Sequence, residues 1–214
     1  MSQTIIALAI NGIVFGLIVA LIALGLSIIF GLLDIINLSH GDFFMVGTVI
    51  AYTTLASLGY YWPALLIAPL IGFALGALIQ FSIIQRIKNN AALSIVATFG
   101  LSMIIQEVVR MTFGAAPKRI MPPISGTFGM FGIEYEWYRI FAAIASIIAI
   151  GSFFIFLKST KLGVWMRAVR HDRDTATTMG IPTQQIYLFT FGIGFARAAI
   201  GGVIAAPITT VDFR

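Results

Sequence analysis

Long apolar runs, separated by short polar or Gly/Pro-rich stretches, set the pattern of the chain. They lie near 5–33, 43–59, 63–85, 91–113, 139–157 and 186–207. Most approach the roughly 20 residues that a bilayer-spanning helix needs. Lipid offers no partner to bare backbone groups, so each run is expected as a helix or a broken helix. Alternating strands of about ten residues, the mark of a membrane barrel, are missing. The pattern predicts an all-α, polytopic transmembrane bundle of about six spans, forming one membrane domain over residues 1–214.

The first run raises a geometric problem. As one helix, residues 5–36 would reach about 48 Å at 1.5 Å per residue, against a hydrocarbon core of about 30 Å. The helix is expected to tilt, protrude or break, and Gly31 together with Asn37-Leu38-Ser39-His40-Gly41 offers a break. Ser39 or Asn37 could cap the next helix, and Asp42 in its first turn suits the helix dipole. Two readings of Asn37, Ser39, His40, Gly41 and Asp42 stand side by side: a capped cytoplasmic turn, or a functional break beside a translocation route. Catalysis by Ser39, His40 and Asp42 is disfavoured, because near neighbours on a helix point in different directions and triad members converge from separate elements. His40 and Asp42 alone are too few ligands for a metal.

Composition agrees with a membrane protein. The chain has 214 residues, 59% hydrophobic and 10% charged, with a mean hydropathy of +1.01. Cysteine is absent, which excludes a disulfide frame, a thiolate zinc cluster and a thiol nucleophile. The first residues lack the basic region of a signal peptide, so the first run is read as a retained span. The net charge is +5, and Lys158, Lys161, Arg167, Arg170 and Arg173 crowd one connection. That clustering is the positive-inside signal, not a nucleic-acid surface, and it puts 158–185 in the cytoplasm and 114–138 outside. Lys118, Arg119 and Arg139 count the other way but are fewer. Prolines and glycines in 114–138 suggest a structured turn region there.

The connection 158–185 is read as carrying a docking helix for a soluble partner. Asp172 can cap a short helix ending at Gly180, with Pro182 beyond the stop. Ala176 and Met179 would share one face, and Arg173, Asp174 and Thr177 the other. A solvated basic loop is the plainer alternative to a docking helix. Within the spans, Glu107 and Arg110 are spaced to pair on one helix face. Arg197 falls near the middle of the last span, where an arginine costs about 2.5–3.5 kcal/mol on insertion scales; Glu107 and Asp34 are the candidate counter-charges. Small residues recur every four positions at Gly12, Gly16 and Ala20, at Gly72 and Gly76, and at Gly194, Ala198, Gly202 and Ala206. This spacing suits close helix packing, within the bundle or between subunits.

Four ordered motifs resemble one family. "NGIVFGLIVALIALGLSIIFGLLDIINLSHGDFFMVGTVIAY" is similar to the N-terminal signature of the LivH-type permease subunits of branched-chain amino acid ABC transporters. "ATFGLSMIIQ", "TKLGVWMRAVRHDRDTATTMGI" and "FTFGIGFARAAIGGVIAAP" resemble its later motifs. Urea and amide permeases share them. The resemblance implies a permease subunit of an importer in a prokaryotic cytoplasmic (inner) membrane. Its implied partners are a second permease subunit of the LivM type, two ATP-binding cassette subunits and an extracytoplasmic substrate-binding protein. ATP would be used by those partners, with no cofactor and no enzymatic activity in this chain, which has no P-loop. By the same resemblance, Arg167, Asp172, Arg173, Ala176, Met179, Gly180 and Ile181 belong to the ATPase-coupling loop, with Ala176 and Met179 in a groove of an ATPase. Relatives usually continue past the point where this chain stops, which implies a C-terminal truncation, and usually lack an arginine at the position of Arg197. The alternatives carried are a structural or assembly subunit without its own pathway, and an intramembrane enzyme.

Overall fold

The computed structural model describes residues 2–209 apart from 34, 88, 89, 115, 117, 131 and 132. Six helices among the described residues are long and apolar enough to cross a membrane: Thr4–Leu33, Leu38–Leu58, Ala64–Ile87, Ala92–Phe113, Trp137–Ser159 and Thr183–Ala205. The elements are α1 (Ser2–Leu33), a 3₁₀ turn (Leu38–His40), α2 (Asp42–Leu58), α3 (Ala64–Ile79), a π-helical stretch (Gln80–Ile84) leading into the short α4 (Gln85–Ile87), and α5 (Ala91–Phe113). A two-stranded hairpin follows, then α6 (Trp137–Ser159), α7 (Lys161–His171), α8 (Arg173–Thr178) and α9 (Thr183–Ala205).

Local sequence explains the boundaries. Gly59 (φ 73°) and Gly114 (φ 81°) close α2 and α5 in conformations that a side chain would resist. Asn90 caps α5, its Oδ1 accepting the Leu93 N–H at 3.1 Å. The turn region between α5 and α6 contains the antiparallel hairpin, β1 (Thr127–Met130) and β2 (Ile133–Glu136), with Thr127 opposite Glu136. The hairpin is the one departure from an all-α chain among the described residues. It marks one end of the bundle, here called the hairpin end; α7 and α8 mark the other, the loop end.

The last span is the centre of the bundle. Along α9, Phe191, Phe195, Ala198, Ala199, Val203 and Ala205 are inaccessible, and α3, α1 and α2 pack around it. Its small residues let backbones meet, as lipid-embedded helices require. A Cβ on Gly25 of α1 would stand 2.6 Å from the Gly194 carbonyl, and one on Gly202 would collide with the Phe44 carbonyl of α2. Gly72 and Gly76 press on Phe195 and Phe191 in the same way. The stripe at Gly12 and Gly16 differs: both residues are exposed and a Cβ there would meet nothing within 4 Å.

Two expectations are corrected. Gly31 does not break the first span; α1 runs unbroken from Ser2 to Leu33, about 48 Å of helix, and the break follows it. Arg197 is not paired with Glu107, which binds Arg110 at 2.9 Å on the exposed face of α5. Asp34, the other candidate, lies outside the described residues. Arg197 is 6% exposed. Its Nη1 donates to the Ala149 carbonyl at 3.1 Å and its guanidinium lies 4.1 Å from the Phe153 ring centroid. A desolvated cation–π contact is worth about 2 kcal/mol, which offsets much of the insertion cost of about 2.5–3.5 kcal/mol. Both partners belong to α6, so the charge ties α6 to the central helix.

Candidate functional site

Beyond Leu33 the chain turns back into the bundle before α2 begins. Residues Ile35–Asn37 are irregular, Leu38–His40 form the 3₁₀ turn, and α2 starts at Asp42. Three independent contacts give the depth of this segment. His40 Nε2 donates to the Ile22 carbonyl at 3.2 Å, and Ile22 stands eleven residues before the end of α1, about 17 Å along the axis. The His40 ring stacks on Phe195, centroids 5.5 Å apart, and Phe195 stands twelve residues into α9, about 18 Å from its start. On α5 the segment passes Thr98 and then Gln106, seven and fifteen residues from the start, about 10 and 22 Å. Counted from these helix ends, the segment lies about 10–22 Å inside the bundle, deeper than an interfacial layer of about 5–7 Å. It is a re-entrant break, not a surface turn.

Irregular backbone at that depth persists only where protein satisfies its polar groups. Asn37 Oδ1 accepts the Ser39 N–H at 3.1 Å and the Ser39 hydroxyl at 2.8 Å. Asn37 therefore caps the 3₁₀ turn. The start of α2, at Gly41, has no side-chain cap, although Asp42 does occupy its first turn. Thr98 Oγ1 accepts the Leu38 N–H at 3.2 Å while its own proton is directed to the Ser94 carbonyl at 2.8 Å. Gln106 Nε2 donates to Asp42 Oδ1 at 2.8 Å and to Ser102 Oγ at 3.1 Å.

These partners lie on a polar stripe of α5: Ser94, Thr98, Ser102 and Gln106, spaced four residues apart. Sequence reading overlooked this stripe. Its signal is the i, i+4 recurrence of polar residues on one face of an apolar helix. Asn37, Ser39, His40 and Asp42 are all buried, and Asn37 Nδ2, His40 Nδ1 and Asp42 Oδ2 have no partner among the described residues. Three such atoms lie within six residues of one another. Ser39, His40 and Asp42 each bond elsewhere and not to one another, so the arrangement has no triad geometry. No group of three or more His, Asp or Glu suited to a metal occurs among the described residues.

The second candidate region lies at the loop end. Asp172 caps α8: its Oδ1 accepts the Asp174 and Thr175 N–H groups at 2.9 and 3.0 Å, and its Oδ2 accepts the Thr175 hydroxyl at 2.6 Å. These bonds, the Thr175 hydroxyl first, hold the Asp172 carboxyl below its usual range. Gly180 (φ 80°) ends the turn, and the Ile181 N–H returns to the Ala176 carbonyl at 3.0 Å. The connection holds one more helix than the sequence suggested: α7, amphipathic, with Gly163, Met166 and Val169 buried at three-residue spacing. Arg167 Nη1 donates to the Leu157 carbonyl at the end of α6.

Ala176 and Met179 do not share a face. Ala176 is 3% exposed, packed with Met166, Val169, Ile186 and Tyr187, whereas Met179 is 77% exposed. Met179 keeps an α-type bond to the Thr175 carbonyl at 3.0 Å but stands at the C-cap of α8, one turn past Ala176. Ala176 seats α8 on the bundle, and Met179 is the apolar side chain presented outward beside Arg173, Asp174 and Thr177. Arg173 also lies 5.5 Å over the Tyr187 ring.

Residues 8–213 match the model of the family described as "Branched-chain amino acid transport system / permease component". The chain belongs to that family. It is a multi-pass membrane permease component. Among curated proteins, the permease resembles the high-affinity branched-chain amino acid transport system permease protein LivH of Escherichia coli, 27% identical over 209 residues that cover 91% of this chain and 68% of that protein. BraD, the corresponding permease protein of Pseudomonas aeruginosa, is 26% identical over 212 residues, with 91% and 68% covered. The LivM permease protein of Escherichia coli matches at 25% over 213 residues, covering 87% of this chain and 49% of that protein. No solved structure matches the permease at a significant level.

Proposed function

We propose that this permease is one half of the membrane channel of an importer for branched-chain or closely related amino acids, in a prokaryotic cytoplasmic membrane. Its partners are a second permease subunit of the LivM type, two ATP-binding cassette subunits and an extracytoplasmic binding protein. The chain itself holds no cofactor and catalyses no reaction; ATP is consumed by the cassette subunits. The loop end faces the cytoplasm, as its basic residues favour. The re-entrant segment Asn37–Asp42 and the facing stripe Thr98, Ser102 and Gln106 form part of the translocation route, and α8 is the coupling element, with Met179 entering a groove of an ATPase.

The observation that carries this reading is the re-entrant break itself. Polar groups at membrane depth are costly in lipid and are kept where a solute or water must pass. A carboxylate oxygen, an imidazole nitrogen and an amide nitrogen left without partners among the described residues are the groups that a hydrated, zwitterionic solute would meet. The test is reconstitution of the permease with all four partner components in proteoliposomes, followed by ATP-dependent uptake of radiolabelled leucine. Asp42→Asn and His40→Ala should lower uptake while subunits still co-purify. Uptake at the native rate in both variants would remove the segment from the route. Intact assembly without any uptake by the native complex, for leucine, urea or short amides, would favour an assembly subunit.

A further inference from the structure

At the loop end, between α1, α6 and α7, a cavity of about 70 Å³ opens beside two guanidinium groups. Its walls are Arg167, Arg170 and Met166 of α7, Leu157 of α6, and Gly31 and Ser27 of α1. We propose that this cavity is a binding site for the headgroup of an anionic phospholipid. The assignment does not depend on which side of the membrane the loop end faces.

Depth is the first argument. Gly31 and Leu157 each stand two residues from the end of their helix, Leu33 and Ser159, about 3 Å along the axis, while Ser27 lies about 9 Å in. Helix α1 is long enough, at about 48 Å, to cross the hydrocarbon core and both interfacial layers, about 40–45 Å in all. The cavity therefore occupies the level of headgroup and glycerol. Its chemistry changes with depth as a phospholipid does: guanidinium groups at the rim, the Ser27 hydroxyl below, and apolar walls from Leu157 and Met166.

Charge is the second. Arg167 and Arg170 are three residues apart on one face of an amphipathic helix. The ion pairs among the described residues are Glu107–Arg110 and Glu136–Arg139, so neither guanidinium has a described carboxylate. Each guanidinium carries the donor fork that phosphate recognition uses; Arg167 Nη1 is held by the Leu157 carbonyl, which leaves its other N–H groups and those of Arg170 for the ligand. Shape is the third. The Arg170 guanidinium carbon stands 3.7 Å from where a Cβ on Gly31 would lie, so the glycine keeps the space beneath the charge open. Larger side chains at this position would fill it.

The experiment uses the permease assembled with its partner subunits in nanodiscs, and measures retention of spin-labelled phosphatidylglycerol against spin-labelled phosphatidylcholine. The native protein should prefer the anionic lipid. Arg170→Gln should lower that preference about fivefold, the effect of one basic residue near a lipid surface. Gly31→Val, which leaves both arginines in place, should lower it to a similar extent by closing the cavity. Gly31→Ala, which makes only an ordinary contact, should not. Unchanged thermal unfolding midpoints show that the variants are folded, and Arg170→Lys should restore part of the preference if Arg170→Gln unfolds. Equal loss in Lys161→Gln, on the same helix but outside the cavity, would mean diffuse attraction and overturn the assignment. So would full preference in Gly31→Val, or displacement of the labelled lipid by millimolar inorganic phosphate, which would make this a free-phosphate site.

Discussion

Removing the Gln106 side-chain amide tests whether the re-entrant segment is held by α5. In Gln106→Leu, Asp42 Oδ1 loses the donor that now stands at 2.8 Å, and Asp42 is only 8% exposed. A hydrogen bond to a charged group is worth about 1.5–3 kcal/mol. Interhelical polar pairs in one well-studied membrane protein average about 0.6 kcal/mol. A double-mutant cycle with Asp42→Leu isolates the pair. Its coupling energy, read from unfolding of the solubilised complex in graded denaturing detergent, should reach about 1.5 kcal/mol or more, near a tenfold change in the unfolding equilibrium. Helix α5 also packs through Leu101, Ile105 and Val109 on the clusters of α2 and α3, and the cycle separates the bond from that packing. A coupling energy near zero would mean that the Asp42–Gln106 bond does not fasten α5. The proposed link between this bond and the route would then be withdrawn.

The remaining predictions concern other parts of the bundle. Gly202→Val drives a branched side chain into the Phe44 carbonyl, and overpacking of this kind costs about 1–3 kcal/mol; a lowered unfolding midpoint checks it, and the same change at Gly16, where nothing lies near, should leave the midpoint unchanged. Met179→Ala should weaken co-purification with the ATPases while the unfolding midpoint stays native, whereas Ala176→Arg should disturb both, because it unseats α8. The Asp172 cap should be pH-dependent. Its folded carboxyl pKa is depressed, so its contribution is complete above the unfolded value and is lost as pH falls through the folded one. Amide exchange at Asp174 and Thr175 should therefore be protected near neutrality beyond its intrinsic pH trend and lose that protection only in acid, and Asp172→Asn, which still caps, should abolish the transition. Tyr61→Phe removes the hydroxyl that reaches the Val203 carbonyl and Tyr138; about 1 kcal/mol per bond is expected, read as a lower midpoint.

The six spans were legible because length and apolarity suffice to find them, and the α8 cap because Asp172, Gly180 and Pro182 each act through local backbone chemistry. Depth was not legible. The string Asn37–Asp42 reads the same whether it turns at the surface or inside the membrane; its contacts with Ile22, Thr98, Gln106 and Phe195, the last 155 residues later in the chain, distinguish them. The stripe of Ser94, Thr98, Ser102 and Gln106 was present as a spacing, but averaging over an apolar helix conceals four polar positions. Met179 follows the helix, but its exposure depends on where α8 meets the bundle, which spacing alone does not give. Arg197 meets a carbonyl and an aromatic face of α6, partners that no charge count reveals.

The position of α9 at the centre of the bundle has a consequence for biosynthesis. It is the last of the six spans to leave the ribosome, yet it supplies Phe195 to His40 and Phe43, and the close backbone seats for Gly25 and Gly47. Until it arrives, five spans have no common axis to pack on, and the polar turn must wait in the membrane half-partnered. A chaperone or translocon that shelters the early spans would act during that interval. Ribosome-bound chains ending before and after Thr183–Ala205 should differ abruptly in protease resistance, not gradually with length.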